Sequence, residues 1–135
     1  MSDHTRALAW LAAALFAVSG LGQVFIAPLY EETAWKLVVP VLGSTDFVAA
    51  YAIWRNAPTF KAWARPYAIG SLCIAVPFWG ESQHFYGNLA TPMLVAETSL
   101  IVACLVLLML TFARGFLAPA QQAQTAAADA ASRRG

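Results

Sequence analysis

The sequence predicts an all-α membrane protein, an antiparallel up-down bundle of four transmembrane helices. Three observations predict it. The chain of 135 residues is 60% hydrophobic and only 11% charged, with mean hydropathy +0.62. A water-soluble domain of this size needs far more charge on its surface. The charges also cluster between apolar stretches: residues 7–30, 37–54 (broken only by Asp46), 66–80, and 82–113 (broken only by Glu97). Finally, threading the chain back and forth puts Arg6, Arg55, Lys61, Arg65, Arg114, Arg133 and Arg134 on one face, with Lys36 alone opposite. Cytoplasmic loops retain an excess of Lys and Arg, so both termini are expected in the cytoplasm.

Each element follows in order. Helix one is expected over 6–28, running outward; Ala9, Ala13 and Ala17 recur every four residues and let a neighbour approach closely. Its basic start and small residues at Ser19 and Gly20 resemble a secretory leader, but the uncharged stretch is long enough to span, so a retained helix is expected. Helix two is expected over 34–54, running inward, and helix three over 64–82, running outward. Helix four is expected over 92–116, with Pro92 in its first turn. These form one bundle over 1–117. Residues 118–135, rich in Ala and Gln, are expected as a frayed or disordered cytoplasmic tail. Trp10, Trp35, Trp54, Trp63 and Trp79 fall near segment ends, as an interfacial aromatic belt does. Pro40 and Pro77 each remove a backbone hydrogen bond, freeing the carbonyls of Lys36 and Cys73. The two kinks lie in the outer half and are either ordinary bends or the walls of an outward-facing pocket.

Several chemistries are excluded or weakly signalled. Net charge is +1 and no basic aromatic patch exists, so nucleic acid is not an expected partner. Cys73 and Cys104 sit at different depths without a CxxC pair, so they are expected as buried packing residues, not a disulfide. No serine is placed for a Ser-His-Asp site, and no glycine-rich phosphate loop follows a strand.

Ionisable side chains inside spans are costly and turn toward the bundle interior. At about 1.5 Å per residue, Gln23 lies about 6–8 Å below the outer boundary, Glu97 about 8 Å and Asp46 about 18 Å, near the midplane. The run 66–80 is too short to span alone, which draws Glu81 and His84 toward the outer boundary. Gln23, Lys36, Glu81, His84 and Glu97 are therefore expected to converge at the outer end, with Asp46 beneath them. Three readings stay open there: a hydrogen-bond network that fixes packing, a pocket for a small polar head group, or a catalytic or metal site. The metal reading rests on Glu81 and His84, three apart on one helix face, with Glu97 as a further ligand. One such pair is a weak signal. A single reachable His excludes bis-His haem ligation.

Small multidrug transporters share this length and helix count, but they use a Glu within helix one, where this chain has no acid. The succession Phe16…Gly20…Gln23, then Glu32-Thr33-Ala34-Trp35-Lys36, then Pro40…Gly43…Asp46 resembles the DoxX-like group of small four-helix bacterial membrane proteins, over roughly residues 8–113. In that group F-x-x-x-G-x-x-K/Q closes helix one and P-x-x-G-x-x-E/D opens helix two. Gln23 stands where Lys is frequent, and Asp46 where Glu is frequent. The resemblance implies the four-helix fold and, through some members, a link to quinone-dependent oxidoreductases. The stretch Phe78-Trp79-Gly80-Glu81-Ser82-Gln83-His84-Phe85-Tyr86 is loosely similar to EXPERA-type proteins, whose membrane cavities take sterol-like ligands.

The function expected is that of a non-catalytic accessory or interaction subunit of a larger membrane assembly. Almost none of the expected mass lies outside the bilayer, which leaves little room for autonomous chemistry. The alternatives are a quinone-linked oxidoreductase component or lipophilic-ligand-binding enzyme, and a small proton-coupled transporter carrying its proton on Asp46. The expected partners are the lipid bilayer, a larger membrane protein complex, and a quinone or other lipophilic small molecule.

Overall fold

A computed structural model describes the backbone of residues 2–29, 33–86, 90–113, 116 and 118–134, and the side chains of these except 27, 33–36, 81–86, 90 and 118–124. Among the described residues the chain is helical throughout, without strands. The helices are α1 (Asp3–Leu21), α2 (Thr33–Trp54), α3 (Pro58–Tyr86), α4 (Ala90–Phe112) and α5 (Ala118–Arg134). A π-helical segment, Gly22–Ile26, and a 3-10 turn, Ala27–Leu29, follow α1 directly.

Three of these stretches are long and apolar enough to cross a membrane: Asp3–Ile26, Leu37–Trp54 and Thr91–Phe112. The predicted third span, 64–82, lies within α3. That helix is the longest, but among its described residues it lacks the apolarity of the others. Arg65, Pro66, Gly70, Ser71 and Gly80 dilute it.

Local chemistry sets the boundaries. Ser2 caps α1, its hydroxyl accepting from the Thr5 N–H at 3.2 Å. The chain turns between α2 and α3 in three residues. Asn56 adopts φ 55°, a left-handed conformation that Asn tolerates. Its N–H bonds Ile53 O at 3.0 Å, and the Ala57 N–H bonds Ala52 O at 2.9 Å. That pair satisfies two of the last four carbonyls of α2. Pro58 then opens α3, where its missing N–H costs nothing. This turn needs so little chain that α3 begins six residues earlier than the sequence suggested. Pro40 lies inside α2, and Pro66 and Pro77 lie inside α3.

Packing is by small residues. Ala9, Ala12 and Ala13 of α1 and Ala96 and Ala103 of α4 are buried, with Phe16 and Leu107 filling the space between. A Cβ at Gly22 would run into the Ala96 side chain, and one at Gly43 would sit 2.5 Å from Gln23 Cβ. Glycine at these two positions therefore sets how closely α1 meets α4 and α2. Ser19 meets Asp46 while Gln23 meets Gly43, so α1 and α2 run antiparallel. Arg65 meets Thr111 while Trp79 meets Thr98, so α3 and α4 do as well. α1 packs against both α2 and α4, and α4 against α3, whereas α2 and α3 scarcely touch beyond their turn. The arrangement has a seam between α2 and α3.

Trp10, Trp54, Trp63 and Trp79 are exposed, as a lipid-facing belt requires; the Trp35 side chain lies outside the described residues. Two expectations are corrected. Cys73 is exposed rather than buried, although Cys104 is buried, and both thiols are free. Five residues separate Cys73 from buried Ala68, which turns it about 140° away around the helix. Where a frayed tail was expected, the structure has α5. Alanine is the strongest helix former, and the tail is rich in it.

Candidate functional site

A cavity of about 70 Å³ lies toward the end of the bundle that carries the π-helical segment, walled by that segment and the three helices around it. Gln23 of that segment, Thr45 and Asp46 of α2, Ser71 of α3 and Glu97 of α4 bring the polar groups. Val39, Leu42, Ile74, Phe78, Met93 and Leu100 supply apolar walls. It is half enclosed. Thr45 and Ile74, on either side of the α2–α3 seam, are both exposed, so the cavity opens laterally there.

The site is built around Asp46, only 2% exposed. Ser19 Oγ donates to Asp46 Oδ2 at 2.8 Å, and Tyr67 Oη donates to Oδ1 at 3.0 Å. Gln23 Nε2 in turn donates to Ser19 Oγ at 2.9 Å. Two other helices thus aim donors at one carboxyl group, a pattern that suits an acceptor and offsets the cost of placing an acid in apolar surroundings. Thr45 Oγ1 lies 3.4 Å from Tyr67 Oη but donates to Leu42 O at 2.6 Å. Its contact with Tyr67 is therefore secondary. The Tyr67 bond to Asp46 spans the seam.

The π-helical segment positions Gln23. One extra residue in the turn shifts the register of the residues after it, and such insertions recur at functional sites. The Gly22 N–H reaches both Ser19 O and Val18 O. Gly22 against Ala96 and Gly43 against Gln23 then hold this irregular turn between two helices.

At the end of the bundle near the α2–α3 turn, Lys61 and Arg65 form a second polar feature. Arg65 Nε donates to Thr111 Oγ1 and its terminal nitrogen to Thr111 O, each at 3.1 Å, while the guanidinium lies 4.5 Å from the Phe112 ring. Lys61 is 3% exposed, its ammonium 4.5 Å from the Phe116 ring centre and without a hydrogen-bond partner among the described residues. Burial holds its pKa below the ordinary 10.5.

Of the six predicted residues, Gln23, Asp46 and Glu97 are buried and line one cavity. The side chains of Lys36, Glu81 and His84 lie outside the described residues. Among the described residues no three His, Cys, Asp or Glu side chains gather. Sequence reasoning missed Ser19 and Tyr67. Ser19 had a signal, since it stands four residues before Gln23 on the same helical face. Tyr67 had none of its own. No protein family, curated protein or solved structure matches the chain.

Proposed function

We propose that this chain is a four-span protein of the bacterial inner membrane, with both ends in the cytoplasm, serving as a non-catalytic binding subunit of a larger membrane assembly. The observation that carries the reading is Asp46, an acid held by Ser19 and Tyr67 from two other helices, beside a half-enclosed cavity. An ionisable group inside an apolar bundle is expensive, and by default marks a binding or transfer site. Three apolar helices support the membrane location. The packing of α3 along α4, and the long side chain of Arg65, which could reach a membrane boundary, support reading α3 as the fourth span. The seven basic residues on one face support cytoplasmic ends. Exposed apolar residues on α1, α2, α3 and α4 offer flanks for lipid or for partner helices.

The test has two arms. Extraction in mild detergent is expected to recover the chain with a stoichiometric partner; a lone monomer defeats the subunit reading. Reporter fusions at each end are expected to be cytoplasmic, and an outward-facing end defeats the topology.

A second reading draws on the same cavity. Its apolar walls suit a lipophilic ligand, and the resemblance to DoxX-like proteins would make that ligand a quinone and the chain a component of an oxidoreductase.

A further inference from the structure

Away from the Asp46 cavity, α1 and α2 leave a cleft of about 360 Å³ between them, toward the end of the bundle that carries the α2–α3 turn. The small side chains of Ala13, Ala14 and Ala50 leave the space, and the rings of Trp10, Tyr51 and Trp54 line it. The Tyr51 and Trp54 rings form a tilted pair 6.1 Å apart. Each of the three aromatic residues is about 60% exposed, so the cleft is open to whatever surrounds the bundle. Two cations stand beyond one end of it. Arg6 precedes Trp10 by four residues on α1. Arg55 follows Tyr51 by four, and its N–H bonds Tyr51 O at 2.8 Å, which continues the helical turn. Residues four apart share a helix face, about 6 Å along the axis. α1 and α2 run antiparallel, so both arginines lie past the same end of the cleft. Both are exposed, and among the described residues neither guanidinium has an ion pair or a hydrogen bond. No acid is among the described residues that line the cleft.

We propose that this cleft holds one anionic phospholipid, with an acyl chain against the aromatic rings and alanines and the phosphate between Arg6 and Arg55. This site rests on the membrane location argued above, and it is separate from the Asp46 cavity. The order of groups along the cleft matches the order along a lipid. Trp and Tyr place their apolar rings at the boundary between acyl chains and head groups. Arginine reaches past that boundary and presents a planar fork that fits phosphate oxygens. Packed helix axes lie about 8–10 Å apart, so long side chains from two neighbours can meet on one phosphate. Basic pockets between membrane helices take acidic head groups in this way. Charge selects among the occupants that aromatic walls admit. Such rings also suit a quaternary ammonium, but two guanidiniums one turn away, without a neighbouring acid in the cleft, repel a cation and attract an anion.

The test uses the full chain in phosphatidylcholine nanodiscs, with Trp35→Phe, Trp63→Phe and Trp79→Phe so that Trp10 and Trp54 report alone. Lipids brominated on the acyl chain, either phosphatidylglycerol or phosphatidylcholine, are titrated in, and quenching of tryptophan fluorescence is read. Phosphatidylglycerol is expected to quench saturably, with a preference over phosphatidylcholine of roughly 5–30-fold, the effect of two arginines at a lipid surface. Arg6→Gln and Arg55→Gln are each expected to lower that preference by roughly fivefold, and the double variant to remove it. Ala14→Phe fills the cleft from an exposed position and is expected to weaken quenching with both arginines in place. Circular dichroism checks that each variant keeps its helices; if the triple Phe background does not fold, lipids retained by the parent chain in native mass spectrometry give the same comparison. Equal quenching by the two lipids reduces the three rings to an ordinary interfacial belt and overturns the site. An unchanged preference in the arginine variants overturns the phosphate contact, and an unchanged one in Ala14→Phe overturns the cleft. Protection from both lipids that grows with the number of chains per disc makes the occupant a second copy. Failure of the chain to enter nanodiscs at all defeats the membrane reading itself, whereas an inserted chain indifferent to head-group charge defeats only the lipid site.

Discussion

A side chain added at Gly22 would meet Ala96 of α4, and this contact gives a sharp test of how the site is held. Replacing Gly22 by Ala would place a methyl group inside the van der Waals radius of the Ala96 methyl, with Ala96 Cα the next atom at 3.7 Å. Carbon atoms prefer separations of about 3.5–4.0 Å, and both methyls are fixed to helix backbones. Neither can rotate away, so α1 and α4 would have to part by roughly 1 Å or more. Overpacking of flexible core side chains costs about 1–3 kcal/mol. Two rigid methyls belong at the top of that range, offset by about 1 kcal/mol of improved helix propensity. A net loss of about 2 kcal/mol is expected for Gly22→Ala. The structure also predicts a rescue. In Gly22→Ala with Ala96→Gly the offending methyl is gone, and the nearest remaining atom is Ala96 Cα at 3.7 Å, an ordinary contact. The double variant should recover most of the lost stability, while Ala96→Gly alone loses about 1 kcal/mol. Unfolding in mixed detergent micelles, followed by circular dichroism, measures all four proteins. Equal stability of Gly22→Ala and the parent, or costs that simply add in the double variant, would refute this packing of α1 on α4.

Other predictions concern the polar groups. Tyr67→Phe is expected to cost about 1–2 kcal/mol, between the value for a bond to a charged group and the lower values found within membranes. The cost should shrink in an Asp46→Asn background, and strictly additive losses in the same unfolding assay would dissociate Tyr67 from Asp46. Lys61 titrates below 10.5 in the fold because burial disfavours its charge. The unfolded chain therefore binds more protons, and stability rises as pH climbs from the folded value toward 10.5, then levels off. Lys61→Met should flatten that rise; an unaltered profile would assign it to another group. Arg65→Lys retains the charge but loses the fork that reaches Thr111 Oγ1 and O together, as well as the stacking on Phe112. A drop of about 1 kcal/mol is expected, and a melting temperature equal to the parent's would show that charge alone serves there.

Helix two was legible almost to the residue, as 34–54 against Thr33–Trp54, because a long apolar run ended by Asn56 and Pro58 signals both the helix and its stop. Its turn was legible in kind but not in length, so α3 was drawn too short. Helix one was drawn as continuous to Pro28, yet it changes to π geometry at Gly22. Hydrophobic periodicity cannot register one inserted residue when the residues around it are nearly all apolar.

The polar site divides in the same way. Asp46, Glu97 and Gln23 stand out of apolar runs, so composition and depth were enough to bring them toward one region. Ser19, Thr45 and Tyr67 are polar without charge, and nothing in a linear count distinguishes a hydroxyl that meets Asp46 from one that faces lipid.

The sequence alone determined that long stretches of this chain prefer hydrocarbon to water and that its charged residues fall mostly between them. Those properties are sums over neighbouring residues, and summation along a chain needs no partner. Only the tertiary structure decided that α2 and α3 stand apart at a seam and that Tyr67 crosses it to Asp46. It also decided that a glycine meeting an alanine sets the distance between α1 and α4. Those properties depend on which face of each helix meets another, and that choice is made by contacts between residues far apart in the chain.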